Sequence, residues 1–420
     1  MSITEKPISQ ISQDFSSLSK FKPKTEQEIA EFVKFCHSKN IPIEIIGAGS
    51  KAKIGRNFQS EKILDLSDYS GIIKYEPEEL YIKVKAGTPI SEISQTLDKF
   101  NQQLAFEPNN FGYLFNGSDN SGTIGGVIST NFSGPRRFKV GSARDHVLGI
   151  RVINGRGEIV KSGGTVVKNV TGYDLSKIIT GSYGTLAIIS EISVKVLPKP
   201  SSIKTLIIHN AQLKKSLDYL NISLSSPADV SGGVFYPEYF KDQFSLNDLT
   251  NKGPITAIRV EGVSSSIDKR LNSLKKELGL LNNEVNYLND DQSKIFWQNT
   301  QELKVFNKTE KNIIRAVVPP SKTLNAINNL KKFFSRYFID WGGNLIWIEM
   351  EKINSEILKE FSRVIENVGG YYTMLKLDDG LKASVDIFKI DHIKYNLSEK
   401  LKNSFDPKRI LNPGKMYSGI

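Results

Sequence analysis

The chain has 420 residues, 39% hydrophobic and 24% charged, with a formal net charge of +11. That length exceeds what one hydrophobic core ordinarily supports, so two domains are expected, and the composition excludes a disordered or collagen-like chain. No stretch approaches the roughly 20 apolar residues of a membrane span. The amino-terminal segment lacks the apolar core of a secretory signal, which points to a cytoplasmic protein. Lysine and arginine are scattered rather than blocked, so no nucleic-acid surface is expected, and the positive excess suits a small anionic ligand. The single cysteine, Cys36, reads as a buried core thiol. Alone it cannot hold an iron–sulfur cluster, which needs about four ligands.

In chain order, Thr25 and Glu28 have capping-box spacing, and Ile29, Phe32, Val33 and Cys36 recur at helical period up to about Lys39. Residues 41–46 read as a strand feeding a glycine loop. Further strands are expected over 63–66, 72–75 and 81–86. Thr88 reads as an N-cap, with Pro89 opening a helix over 89–100. Residues 107–126 are glycine- and asparagine-rich, and a loop of that length in a compact domain is usually functional. A helix over 127–131 follows. Residues 147–154 and 158–161 flank Gly155-Arg156-Gly157 as a hairpin. Asp174 reads as the cap of a helix over 175–180. The apolar run 186–197 ends at Pro198 and Pro200, which mark a domain boundary. Beyond it, helices are expected over 266–280, 321–335 and 354–368, and strands over 255–260, 313–318 and 345–350.

Chemistry concentrates before that boundary. Gly47-Ala48-Gly49-Ser50-Lys51 follows a strand and can turn consecutive N–H groups toward a phosphate. Its glycines also fit G-x-G-x-x-A through Gly47, Gly49 and Ala52, but the polar segment up to Lys62, broken by Gly55, cannot supply the amphipathic helix that a Rossmann unit requires. Ser121-Gly122-Thr123-Ile124-Gly125-Gly126 is a second glycine cluster, either opening a helix toward a diphosphate or forming a tight turn under a sheet. Two cradles flanking the helix over 89–100 suggest one long diphosphate ligand held between them. Further clusters are Gly141-Ser142-Ala143-Arg144-Asp145, Lys168-Asn169-Val170-Thr171-Gly172-Tyr173-Asp174 and Gly181-Ser182-Tyr183-Gly184-Thr185-Leu186.

This series, in this order, resembles the FAD-linked oxidases of the vanillyl-alcohol-oxidase superfamily, and Asp406-Pro407-Lys408-Arg409-Ile410-Leu411-Asn412-Pro413-Gly414-Lys415-Met416 resembles their carboxy-terminal signature. Within that superfamily the chain is most similar to the FAD-binding subunits of bacterial glycolate oxidases. The resemblance implies an α+β fold: an FAD-binding domain of two α+β subdomains over 20–200, an α+β cap domain over 201–400 for substrate or partner docking, and a tail over 401–420 returning to the flavin side. It implies that Gly47, Ala48, Gly49, Ser50 and Lys51 hold the pyrophosphate, with Thr123, Gly125 and Gly126 opposite. Ser142, Arg144 and Asp145 would lie nearer the flavin, and Gly184, Ile189 and Glu191 at the adenosine end. Ala48 stands where relatives often carry glycine.

The implied activity is FAD-dependent oxidation of a small 2-hydroxy acid such as glycolate, within a complex that includes a catalytic flavoprotein subunit and an iron–sulfur subunit, with membrane association only peripheral and through those partners. None of His37, His146, His209 or His392 falls in the glycine loops, so the FAD is expected to be non-covalent. The histidine-rich metal and base motif of related dehydrogenases is missing after residue 200, so no metal and no independent turnover are expected. Arg136, Arg137 and Arg144 are candidates for a carboxylate; Arg144 and Tyr173 are candidates at the reacting centre. A scaffold with structural FAD and a self-sufficient dehydrogenase remain as alternatives.

Overall fold

A computed structural model describes residues 15–115, 119, 121–164, 174–238, 253–281, 284–307, 309–382 and 385–420. The first helix, α1 (Glu26–Lys39), begins as its sequence demands: Thr25 accepts the Glu28 N–H, the Glu28 carboxylate accepts the Thr25 N–H, and Ile29, Phe32, Val33 and Cys36 are buried. Burial pushes the Cys36 thiol up to about 12, as an inert core thiol requires.

Strands β1 (Lys20–Phe21), β2 (Ile43–Ile46) and β3 (Lys62–Asp65) form a small parallel sheet in the order β1-β3-β2. Strands β4 (Ile72–Glu76), β5 (Tyr81–Lys85), β6 (Gln102–Gln103), β7 (Val147–Asn154), β8 (Ile159–Gly163) and β9 (Ala187–Lys195) follow. Of these, five make an antiparallel sheet, β4-β5-β9-β7-β8, while β6 pairs with β10 (Leu197–Pro198). One hydrophobic core joins α1 to both larger sheets and includes Ile410 and Leu411 from the carboxy-terminal end.

Local signals fail in two places. Helix α2 (Ile90–Asp98) is capped by Pro89 rather than Thr88, because the Thr88 hydroxyl is spent on the Lys85 and Gly71 carbonyls. The polar stretch after Glu107 holds a short helix, α3 (Gly112–Phe115), and α4 spans Ile124–Thr130 rather than 127–131, since Thr123 caps it through the Gly126 N–H.

Beyond Pro198, an eight-stranded antiparallel sheet runs β14-β11-β13-β12-β16-β17-β15-β18, comprising β11 (Ser202–His209), β12 (Val230–Tyr236), β13 (Ile255–Gly262), β14 (Val285–Leu288), β15 (Asn312–Val317), β16 (Arg336–Asp340), β17 (Leu345–Met350) and β18 (Tyr371–Lys376). Its helices cover it and form a second core. Every residue of β12, β15 and β17 is buried. The helix His392–Phe405 then brings the chain back, placing Leu401 and Phe405 against the first core, so residue 401 lies inside one element. Lys402, fully buried, donates to the Thr185 carbonyl at 2.7 Å, the Leu411 carbonyl at 2.9 Å and Asp406 at 2.9 Å. That latch sets residues 410–412 beside β2, with Ile43 N–H donating to Ile410 at 2.7 Å. Among the described residues no helix is long and apolar enough to cross a membrane.

Candidate functional site

The loop leaving β2, the start of α4, the segment 183–189 and the tail line one cleft. Gly47, Ala48, Gly49, Ser50, Lys51, Thr123, Gly125, Gly126, Gly184 and Ile189 all line it. The two glycine clusters nearly touch: a Cβ on Gly122 would lie 2.3 Å from Ser50 Oγ, and one on Gly47 2.5 Å from Thr123 Oγ1. Side chains there would force the loops apart, so the spacing of the cradle depends on their absence.

The Lys51 ammonium is buried, 3.3 Å from Ser50 Oγ, 3.4 Å from the Ser121 carbonyl and 5.9 Å from the Phe111 ring centre. Burial lowers it to about 8, and among the described residues no carboxylate pairs with it. Lys415 contributes a second buried ammonium from the tail, donating to the Ala52 carbonyl at 3.3 Å, and burial lowers it too. Ile45, Leu66, Ile188 and Ile189 supply apolar wall. Glycine-lined backbone and buried cations at one place, with apolar slots beside them, fit a dinucleotide whose diphosphate needs charge and whose rings need dry surface.

Other expected residues lie elsewhere. Ser142 and Asp145 satisfy each other: Ser142 donates to Asp145 through its N–H at 2.7 Å and its hydroxyl at 2.8 Å, capping a short helix and holding that carboxyl below its usual range against the opposing effect of burial. Arg144 is exposed. Glu191 pairs with Lys83 at 2.7 Å and Arg151 at 3.6 Å in a separate groove. The register of β7 against β9 slips between Arg151 and Val152, so Ile189 and Glu191, two residues apart, line different cavities. Asp174 accepts from the Ser176 hydroxyl and caps no backbone N–H. Residues 165–173, with Tyr173 and its neighbours Lys168 and Asn169, lie outside the described residues.

No histidine lines the cleft. His146 is buried, with Nε2 3.0 Å from the Val140 carbonyl. The described residues contain no cluster of histidine, cysteine and carboxylates able to hold a metal. Of the three arginines proposed for a carboxylate, Arg136 is bound to Glu261, and Arg137 lies with its Cζ 4.4 Å from the centre of the Trp341 ring. Sequence reasoning did not assign Asn412 or Tyr183. Asn412 donates to the Tyr183 carbonyl and accepts the Ile45 N–H, both within 2.9 Å, tying three cleft walls together. Its place in the tail motif was the available signal.

A cleft built of two glycine loops, a buried lysine and a returning tail defines a dinucleotide-cofactor protein. A family model described as FAD binding domain matches residues 19–163. The chain is 31% identical to glycolate oxidase subunit GlcE of Escherichia coli (strain K12) over 397 residues, covering 94% of this chain and 98% of that one. It is 25% identical to glycolate oxidase subunit GlcD of Bacillus subtilis (strain 168), covering 94% and 88%, and 23% identical to a D-lactate dehydrogenase of Archaeoglobus fulgidus, covering 94% and 90%. A solved alkyldihydroxyacetonephosphate synthase shares the fold, with a TM-score of 0.68 at 18% identity over 94% of this chain and 75% of that one. The chain belongs to the FAD-linked oxidase superfamily and is an FAD-dependent oxidoreductase with the α+β fold of that family.

Proposed function

We propose that this chain is the FAD-binding redox subunit of a complex that oxidises a small 2-hydroxy acid, glycolate in the first instance. The observation that carries this reading is a cleft assembled wholly from this chain, with Lys51 at its glycine loops and no histidine on its walls. FAD, when bound, would supply the redox chemistry, while the protein supplies position and charge. Lys51, Ser50 and the loop N–H groups would hold the diphosphate, assisted by Gly125, Gly126 and Thr123. The apolar walls would exclude water from the rings, and the cofactor would be held non-covalently. A base for the hydroxyl proton would come from a catalytic flavoprotein subunit, and an iron–sulfur subunit would take the electrons. The similarity to GlcE and GlcD supports a multisubunit setting.

The test begins with acid precipitation of the purified holoprotein, which should release a flavin spectrum into the supernatant. The partner subunits are then added without oxygen, followed by glycolate. Bleaching of this chain's flavin only in the assembled complex is the expected result. Turnover by the isolated chain with a dye acceptor would replace this reading with a self-sufficient dehydrogenase. A flavin that stays oxidised in the active complex would leave a scaffold with structural FAD.

A further inference from the structure

Arg137 and Arg315 form no ion pair with a carboxylate among the described residues, and both lie against one indole. Trp341 has the Arg137 guanidinium 4.4 Å and the Arg315 guanidinium 4.8 Å from its ring centre. Arg315, on β15, is 8% exposed and also faces Phe132 at 5.7 Å and Trp347 at 6.0 Å. Elsewhere in the molecule, buried guanidinium groups are matched: Arg136 binds Glu261, and Arg259 binds Glu107.

A guanidinium stays charged in a protein, so burial beside rings, with the Tyr371 hydroxyl as hydrogen-bond acceptor but no counter-charge, costs free energy unless an anion completes the site. Burial pulls Arg315 below its usual range, and the neighbouring Arg137 charge adds to that pull against the Tyr371 and Tyr183 hydroxyls. Asp340 is the nearby carboxyl, but it accepts the Trp341 N–H at 2.6 Å and makes no ion pair with Arg315. Burial pushes Asp340 up to about 7, which leaves it a weak counter-ion.

The indole itself is held in an uncommon conformation. Trp341 has φ +52°, followed by Gly342 at +63° and Gly343 at +108°, and its Nε1 donates across the domain seam to the Gly134 carbonyl at 3.0 Å. A left-handed tryptophan persists only where surrounding contacts determine it. The seam adjoins the cofactor cleft: Tyr183 lines that cleft, senses the Arg315 charge and packs edge-on against Phe388 at 4.8 Å.

We infer that Arg315 and Arg137 form a carboxylate-binding site against Trp341, which holds the carboxylate of the small 2-hydroxy acid at the domain seam beside the flavin cleft. The identity of the acid rests on the function proposed above; the carboxylate chemistry rests on the arginines. Two forked donors match a carboxylate bidentately, and their combined charge selects an anion over a neutral alcohol.

The test uses the FAD-loaded full chain and oxalate, a carboxylate that cannot be oxidised as a hydroxy acid, followed by calorimetry and by perturbation of the flavin spectrum. Saturable binding to the wild type is expected, with ethylene glycol, which has hydroxyls and no carboxylate, failing to bind. Arg315→Met and Arg137→Gln should each weaken oxalate by about tenfold or more, with FAD content unchanged, and Arg315→Lys should fall between. If Arg315→Met does not fold, Arg137→Gln, at a partly exposed position, decides alone. No oxalate binding by the wild type, or equal binding by wild type and variants, overturns the inference. Flavin reduction by glycolate in the complex alongside arginine-independent oxalate binding would sink this site and keep the redox reading. Arginine-dependent oxalate binding with a flavin that glycolate never reduces would do the reverse.

Discussion

Arg136 and Arg137 are adjacent in the chain and end in opposite chemical surroundings. Arg136 donates to Glu261 at 3.0 Å through Nε and to Gln103 at 2.7 Å through Nη1. Together with Arg259, Glu107 and Glu261 it forms a buried, charge-balanced group whose acidic and basic members come from both halves of the molecule. Burial alone would raise Glu261, yet Arg259 and Arg136 overcome it and hold that carboxyl at about 2. Arg137 faces the other way, onto Trp341 with Arg315, and meets no such balance. The first group is a lock between the half of the chain before Pro198 and the half after it. The second has charge left over for a ligand. What separates them is counter-charge, since Arg315 is as thoroughly enclosed as the residues of the lock.

The largest effect should come from unbalancing the lock. Glu107 accepts from Arg259 at 2.7 Å and from the Arg136 N–H at 2.7 Å, so Glu107→Gln leaves two enclosed guanidinium groups sharing one carboxylate. A loss of about 3–5 kcal/mol is expected in denaturant unfolding, as for one partner removed from a buried ion pair. Arg137→Gln in the ligand-free protein should change stability by only about 0.5 kcal/mol. Equal losses from the two variants would erase the contrast.

Next in size is the cofactor's dependence on Lys51. Lys51→Met should weaken FAD binding by about 1.5–3 kcal/mol, the range for a hydrogen bond to a charged group. Burial sets the free ammonium at about 8, and a diphosphate would hold the proton on. Binding above that pH therefore takes up a proton, so wild-type affinity should fall as pH rises past about 8. Fluorescence titration across that range should show the slope in the wild type and none in Lys51→Met. A flat wild-type profile would put the diphosphate elsewhere.

A further effect concerns Asp340, which sits between the two arginine groups. Its folded value of about 7 lies above its ordinary 3.8, so the folded state keeps a proton that the unfolded chain has released. Stability should decline as pH rises from about 4 to about 7, and Asp340→Asn should flatten that decline in thermal melts taken across the window.

Much of the cofactor-binding half was legible because its signals are local. The capping box of Thr25 and Glu28, the hairpin about Gly155 and Gly157, and the glycine loops at 47–51 and 122–126 depend on neighbours a few residues away. The half beyond Pro198 was less legible. Strands such as β12 are buried on both faces and show no alternation to detect, and the strands at 285–288, 336–340 and 371–376 were not anticipated. Glu191 was misplaced by a register slip that no periodicity reveals, and Thr88 by a hydroxyl drawn to the preceding strand.

By itself the sequence determined where the glycine clusters suited to a phosphate fall and that no histidine-rich motif follows residue 200, because those facts reside in residue type and short spacing. Only the tertiary structure decided which charges are cancelled and which remain. Arg136 meets Glu261 across 125 positions and Arg259 meets Glu107 across 152. Arg315 reaches Trp341 rather than a carboxylate through the pairing of β15, β17 and β16. Coulombic interactions depend on distance and enclosure, and at those sequence separations both are products of sheet packing.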